Sequence, residues 1–182
     1  MGVNDTFHKD LAVGKNFEGM VLDELNKNFP HAYIKEGYFK DYDIYIPELR
    51  KSVEAKRDRK SQDTGNLVIE TSFGGKPSAL STTKADYWVF DCGDEYILTT
   101  PTLINNAILD SKSRQVSFIG KGDTKSKEAY LLKKEYIRKH SLSLGTNLYE
   151  VLGHIHYKGV LNGYGLKSPA YDFNDNNFHL DI

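Results

Sequence analysis

Cysteine is almost absent from the chain. Cys92 is the only one in 182 residues. A lone thiol excludes a disulfide framework and a cysteine-rich zinc site, and it fits a reducing cytoplasm as a small buried hydrophobe. An excess of one charge is missing too. The 24 Lys and Arg face 25 Asp and Glu, for a formal net charge of -1. The chain is therefore not coated in positive charge, and any contact with a polyanion has to be local. No long apolar run and no signal-like leader is present, so nothing points to a membrane or to export. The expected compartment is the cytoplasm, that of the host if the chain is phage-encoded. There is no internal repeat and no low-complexity linker. No Walker-type glycine loop occurs either, which leaves nucleotide hydrolysis poorly supported. What remains reads as one domain over residues 1–182, with a core at about 7–140 and an extension of unassigned role over 141–182.

The most informative stretch is Asp41-Tyr42-Asp43-Ile44-Tyr45-Ile46-Pro47, then Lys51-Ser52-Val53-Glu54-Ala55-Lys56-Arg57-Asp58. It reads as two strands joined by a tight connection. Alternation places Ser52, Glu54, Lys56 and Asp58 on one face, with Val53 and Ala55 on the other. Asp43 and Tyr45 share a face, backed by Ile44 and Ile46. With the turn centred on Leu49-Arg50, Asp43 comes opposite Lys56 and Tyr45 opposite Glu54. Two carboxylates and an ammonium then converge on one patch. The plain alternative is a solvated, salt-bridging face.

Around this hairpin the other elements follow from spacing. Phe17, Val21, Leu22, Leu25 and Phe29 predict a helix over Lys15–Phe29, ended by Pro30. Glu18 lies on its apolar stripe, where a carboxylate is costly unless paired or metal-bound. His31 reads as a loop histidine. Leu67-Val68-Ile69 reads as a buried strand ending at Glu70. Gly74-Gly75-Lys76-Pro77 reads as a loop, and Ser78 as the cap of a short helix over Ala79–Ala85. Strands are expected at Tyr87–Phe90 and Tyr96–Thr99, and a helix after Thr100-Pro101. Val116–Ile119 suits a strand, Tyr130–Leu132 suits either state, and Glu135–His140 suits a helix. The loop from Gly120 to Lys127 is basic. Asn147–Ile155 suits a short helix; His154 and His156 alternate as in a strand, where His-x-His can bind metal, but with no third ligand in view they read as a structural or exposed pair. Tyr157, Tyr164, Tyr171 and Phe173 are open to core, subunit or base contacts.

Asp43 followed by Glu54-x-Lys56 on the next strand resembles the PD-(D/E)xK nuclease superfamily, although Tyr42 stands where the motif has proline. The resemblance extends through Thr64–Glu70, Gly75-Lys76-Pro77-Ser78 and Ser81–Val89, and is closest to small phage-type endonucleases and Holliday-junction-resolvase-like members. It implies an α/β fold with a restriction-endonuclease-like core, a mixed sheet of about four to five strands flanked by helices. It implies a deoxyribonuclease dependent on Mg2+, with Mn2+ able to substitute, and favours endonuclease over exonuclease action. Asp43, Glu54 and the Ala55 backbone carbonyl would then hold the metal, joined by Glu18 from the first helix. Glu70 would stand near it, and Lys56 would orient the attacking water. DNA is the implied partner, with Arg57, Arg59, Lys60, Lys76 and Lys84 as candidate contacts beside Arg50 and Lys51. Assembly into a homo-oligomer is left open. The alternative is a non-catalytic module on the same fold that binds nucleic acid or a host protein.

Overall fold

The computed structural model describes the backbone of residues 3–37, 41–120 and 123–161, with side chains from residue 14 to 157 within those spans. Helix α1 (Val3–Asn26) begins well before Lys15. Phe7 and Leu11 stand four apart, but Gly14 interrupts the pattern, and glycine disfavours helix interiors. Phe17, Val21 and Leu25 form the buried face as expected, and Phe29 is buried in the turn that follows.

Next come β1 (Tyr33–Ile34), β2 (Ile44–Ile46) and β3 (Lys51–Arg57), an antiparallel meander. Helix α2 (Ser61–Thr64), β4 (Asn66–Phe73), β5 (Lys76–Pro77) and a 3-10 turn at Ala79–Ser81 carry the chain across to β6 (Tyr87–Asp91), which lies parallel to β3. Strand β7 (Tyr96–Thr99) returns antiparallel. Helix α3 (Pro101–Ser111) starts as expected, with the Thr100 hydroxyl accepting the Leu103 N–H. Then follow β8 (Gln115–Phe118), β9 (Lys127–Lys133), α4 (Lys134–Lys139), β10 (Ser143–Gly145) and α5 (Leu148–Leu161).

The strands form two sheets, where the sequence suggested one. A mixed sheet has the order β1-β2-β3-β6-β7-β10, and an antiparallel sheet has the order β5-β4-β9-β8. The ambiguous Tyr130–Leu132 belongs to β9, opposite Ile69 to Leu67 of β4. Two local readings change. Gly74 and Gly75 have φ of 59° and 76° and form a two-residue hairpin turn between β4 and β5. Positive φ at both positions is the type I′ pattern, which glycine enters without steric cost. The helix expected over Ala79–Ala85 is only the 3-10 turn, and Ser78 makes no side-chain cap. Thr83 instead accepts bonds from the Ala85 N–H and the Trp88 indole N–H, drawing the chain straight toward β6.

Alternation splits the mixed sheet into two packed faces. Ile44, Ile46, Val53, Val89 and Leu98 pack against α1 and α5. Trp88, Phe90 and Ile97 pack against the second sheet, α3 and α4. That second cover is partial: Trp88 is 1% exposed on β6, whereas Tyr33 on the edge strand β1 is 47% exposed. Cys92 is buried in the second core, and burial pushes its thiol up to about 11. Among the described residues, no helix is long and apolar enough to cross a membrane. The expectations for Lys121, Gly122, Tyr164, Tyr171 and Phe173 fall outside the described residues.

His154 and His156 lie on a helix, not a strand, so residues two apart diverge and cannot share an ion. His156 is buried between the rings of Phe29 and Tyr149, at centroid distances of 5.6 and 5.1 Å. Neither ring nitrogen has a hydrogen-bond partner. Burial lowers its pKa to about 4, with Glu24 opposing and Lys27 assisting. An unfolded histidine titrates near the ordinary 6.5, so the unfolded chain takes up the extra proton first. Stability therefore falls as pH drops from about 6.5 toward 4. Between pH 6.5 and 5 the wild type should lose roughly 2 kcal/mol more than His156→Phe in urea unfolding. Equal pH dependence in the two proteins would contradict a buried neutral imidazole.

Candidate active site

The β2–β3 hairpin pairs Ile44 with Val53, Tyr45 with Ser52 and Ile46 with Lys51. The turn is therefore Pro47–Arg50, and the register differs by two residues from the one the sequence suggested. Tyr45 comes opposite Ser52 rather than Glu54, and Asp43 stands just before the paired residues rather than opposite Lys56. Within that turn Leu49 is buried in the first core. A slip of one residue would invert the faces, while a slip of two keeps them. Ser52, Glu54 and Lys56 thus still share a face, while Asp43 stands at the edge of β3 beside Ala55, near enough to Lys56 to help raise its pKa.

The ladder ends at Asp43. Its N–H donates to the Val53 carbonyl (3.0 Å), and its carboxylate turns back to accept the Ala55 N–H (2.8 Å). The side chain thereby replaces the strand partner that β2 no longer supplies to Ala55. In a strand, the N–H and C=O of one residue point to the same side, so the Ala55 carbonyl faces this edge too. Asp43 and Glu54 are both buried.

Lys56 Nζ lies 2.5 Å from Glu54 Oε1, although 39% of its side chain is open to solvent. Burial works to lower its pKa, but Glu54, then Asp43 and Glu70, outweigh that and hold it above the usual lysine value. Lys56 is therefore an ammonium at neutral pH, not a free base. It also stands 5.6 Å from the Trp88 ring centroid.

Glu70 reaches this group from the second sheet. A bulge at Thr71 breaks the β4–β9 register immediately after it, and such bulges re-aim neighbouring side chains. Glu70 Oε1 accepts a 2.6 Å bond from the Ser78 hydroxyl, and Oε2 lies 3.5 Å from Lys127 Nζ. Lys127 also pairs with Asp123 at 3.1 Å. The sequence reading missed Ser78 and Lys127 as neighbours of Glu70. The first looked like a helix cap and the second like one of several loop lysines.

Glu18 is half-buried on α1. That helix packs on the sheet face carrying Val53 and Ala55, while Glu54 and Lys56 project from the other. The helical stripe fixed the face of α1 that Glu18 occupies, but not the side of the sheet on which α1 lies. Among the described residues, no group of three or more His, Cys, Asp and Glu is arranged to hold a metal. The donors that fit Mg2+ are the Asp43 and Glu54 carboxylates and the Ala55 carbonyl, since this ion is commonly held by one or two carboxylates plus water and substrate phosphate.

The basic residues divide. Arg57 and Arg59 both reach Asp91 Oδ2, at 3.2 and 2.9 Å, and the Gly93 N–H donates to its other oxygen. Asp91 is buried, so these arginines neutralise an internal charge at the ends of β3 and β6. Lys60 and Lys76 are exposed, before α2 and on β5. Lys84 is exposed with its ammonium 3.3 Å from Asp41. Lys51 bonds Asp86, which raises its pKa. His31 is a loop residue bonded to Glu48.

No family model, no curated protein and no solved structure matches the chain.

Asp43 satisfies the backbone donor at Ala55 and adds to the negative charge that holds the Lys56 proton. Asp43→Asn keeps the acceptor and loses only the charge, whereas Asp43→Ala orphans the Ala55 N–H as well and should lose about 1–2 kcal/mol more. Urea unfolding in EDTA of the three proteins separates these effects; equal stability of Asp43→Asn and Asp43→Ala would contradict them.

Proposed function

We propose that the chain is a Mg2+-dependent deoxyribonuclease built on a restriction-endonuclease-like core. The observation that carries this reading is the convergence of Glu54 and of Asp43, bonded to the Ala55 N–H, on the Lys56 ammonium. The antiparallel β1-β2-β3 meander with β6 parallel beside β3 agrees with such a core.

Hydrolysis of a phosphodiester places extra negative charge on the phosphoryl oxygens and the leaving oxygen. Asp43, Glu54 and the Ala55 carbonyl are the groups that would hold the ion. When bound, the cation supplies positive charge at the scissile phosphate and acidifies water. Asp43 contributes in two ways, because one oxygen is fixed by the Ala55 N–H and so orients the carboxylate. Lys56 keeps its proton, orients the attacking water and stabilises charge growing on the phosphoryl group. Glu70, fixed by Ser78 and Lys127, adds to the negative surroundings that hold that proton. The exposed Lys60 and Lys76 suit phosphate contact.

A second reading is a nucleic-acid-binding module without cleavage. It is favoured by the absence, among the described residues, of three acids arranged around one metal position.

An assay with supercoiled, linear, single-stranded and four-way-junction DNA separates the two. The wild type should cleave only with Mg2+ or Mn2+. Lys56→Ala should retain DNA and Mg2+ binding and lose cleavage by roughly 100-fold or more. Glu54→Ala should lose both Mg2+ affinity, read by calorimetry, and cleavage. Wild-type rates in either variant would remove the mechanism, and binding with no cleavage on any substrate would leave the second reading.

A further inference from the structure

The face that carries Ser52, Glu54 and Lys56 does not end at those residues. Tyr45 lies on the same face of the sheet and pairs with Ser52 on one side and Tyr33 on the other. Tyr33 and Tyr45 have ring centroids 5.9 Å apart, and Tyr42 and Tyr45 5.8 Å apart. Three aromatic rings therefore form one continuous group. Tyr42 packs against the margin of the second core, Tyr45 is partly buried, and Tyr33 at the outer edge is half-exposed. Neighbouring strands are about 5 Å apart, so the platform lies about 5–10 Å from β3 and its acids.

Cations edge the group. Lys35 Nζ stands 4.4 Å from the Tyr42 ring centroid. Lys35 and Lys84 lie 3.9 and 3.3 Å from the one carboxylate of Asp41. A ring group open at Tyr33 and edged by ammoniums, continuous with a phosphodiester site, matches the chemistry of an unpaired nucleotide strand. Bases stack on the rings, and the backbone meets the ammoniums. A base pair inside a duplex offers no free face to such rings.

We infer that Tyr33, Tyr45 and Tyr42 form a stacking platform that receives unpaired bases of single-stranded DNA next to Asp43 and Glu54. The inference deepens the nuclease reading and rests on it for the position of cleavage. It assigns that site to DNA with unpaired nucleotides, such as tails, flaps or open junction arms, over continuous duplex.

The test is fluorescence anisotropy in EDTA, with the full chain and two labelled probes: oligothymidylate, and a duplex of the same length. The wild type should bind the single strand more tightly than the duplex. Tyr33→Ala and Tyr45→Ala should each weaken single-strand binding by about tenfold and leave duplex binding within about twofold. Tyr33→Phe should retain single-strand affinity, because stacking needs the ring and not the hydroxyl. Tyr33 is half-exposed on an edge strand, so its variants carry the test if Tyr45→Ala does not fold.

Cross-strand tyrosines also steady a short edge strand. If that is their whole role, Tyr33→Ala lowers stability with unchanged affinity for the single strand, and the inference is overturned. Equal losses on both probes overturn it as well. If the wild type shows the expected single-strand binding and ring dependence but no Mg2+-dependent cleavage, the platform stands and the nuclease reading falls. Cleavage of duplex and single strand at equal rates, unaffected by Tyr33→Ala, removes the platform alone.

Discussion

The structure depends on one sheet face being covered over only part of its width. The face that meets the second sheet begins at β6, where Trp88 and Phe90 are sealed, and runs out across β3 to the open edge at β1. A fully covered face would bury Glu54 and Lys56 beyond reach of any substrate. A bare one would leave them as solvated surface charges with little influence on each other. At the boundary they are shielded enough to interact strongly and open enough to be reached. Glu70 closes the boundary from the second sheet, which is why two sheets contribute to one group of charges.

Holding two carboxylates in a shielded position is unfavourable unless other groups compensate. Three compensations are built from ordinary fold elements. The end of β2 leaves a backbone donor at Ala55 that fixes Asp43. The alternation of β3 brings Lys56 onto the same face as Glu54. The parallel neighbour β6 supplies the Trp88 ring beneath the ammonium. By contrast, Arg57 and Arg59 are drawn to Asp91 at the strand ends. Basic residues close in sequence to a site can thus serve the fold before they serve a ligand.

Period-two alternation made much of the site legible. It identified which residues of β3 share a face: Ser52, Glu54 and Lys56 on one, Val53 and Ala55 on the other. It could not supply the register, because registers that differ by two residues present the same faces. The second sheet was hidden for a related reason. Strand β4 finds its partner in β9, far along the chain, and no local signal names that partner. The Thr100-Pro101 helix start was readable because a cap is a local contact. Ser78 offered the same kind of signal but bonds Glu70 instead, so a short polar residue after a glycine turn is ambiguous until its surroundings are known. His156 shows the same limit: two histidines two apart mean one thing on a strand and another on a helix.

The central claim is that the main-chain edge at Asp43, Glu54 and Ala55 holds one hard cation. Titration of the protein with Mn2+, followed by paramagnetic broadening of its backbone amide signals, addresses this most directly. The amides of Asp43, Glu54 and Ala55 should broaden first, and excess Mg2+ should restore them. Broadening centred elsewhere, or none at concentrations that saturate ordinary Mg2+ enzymes, would contradict it.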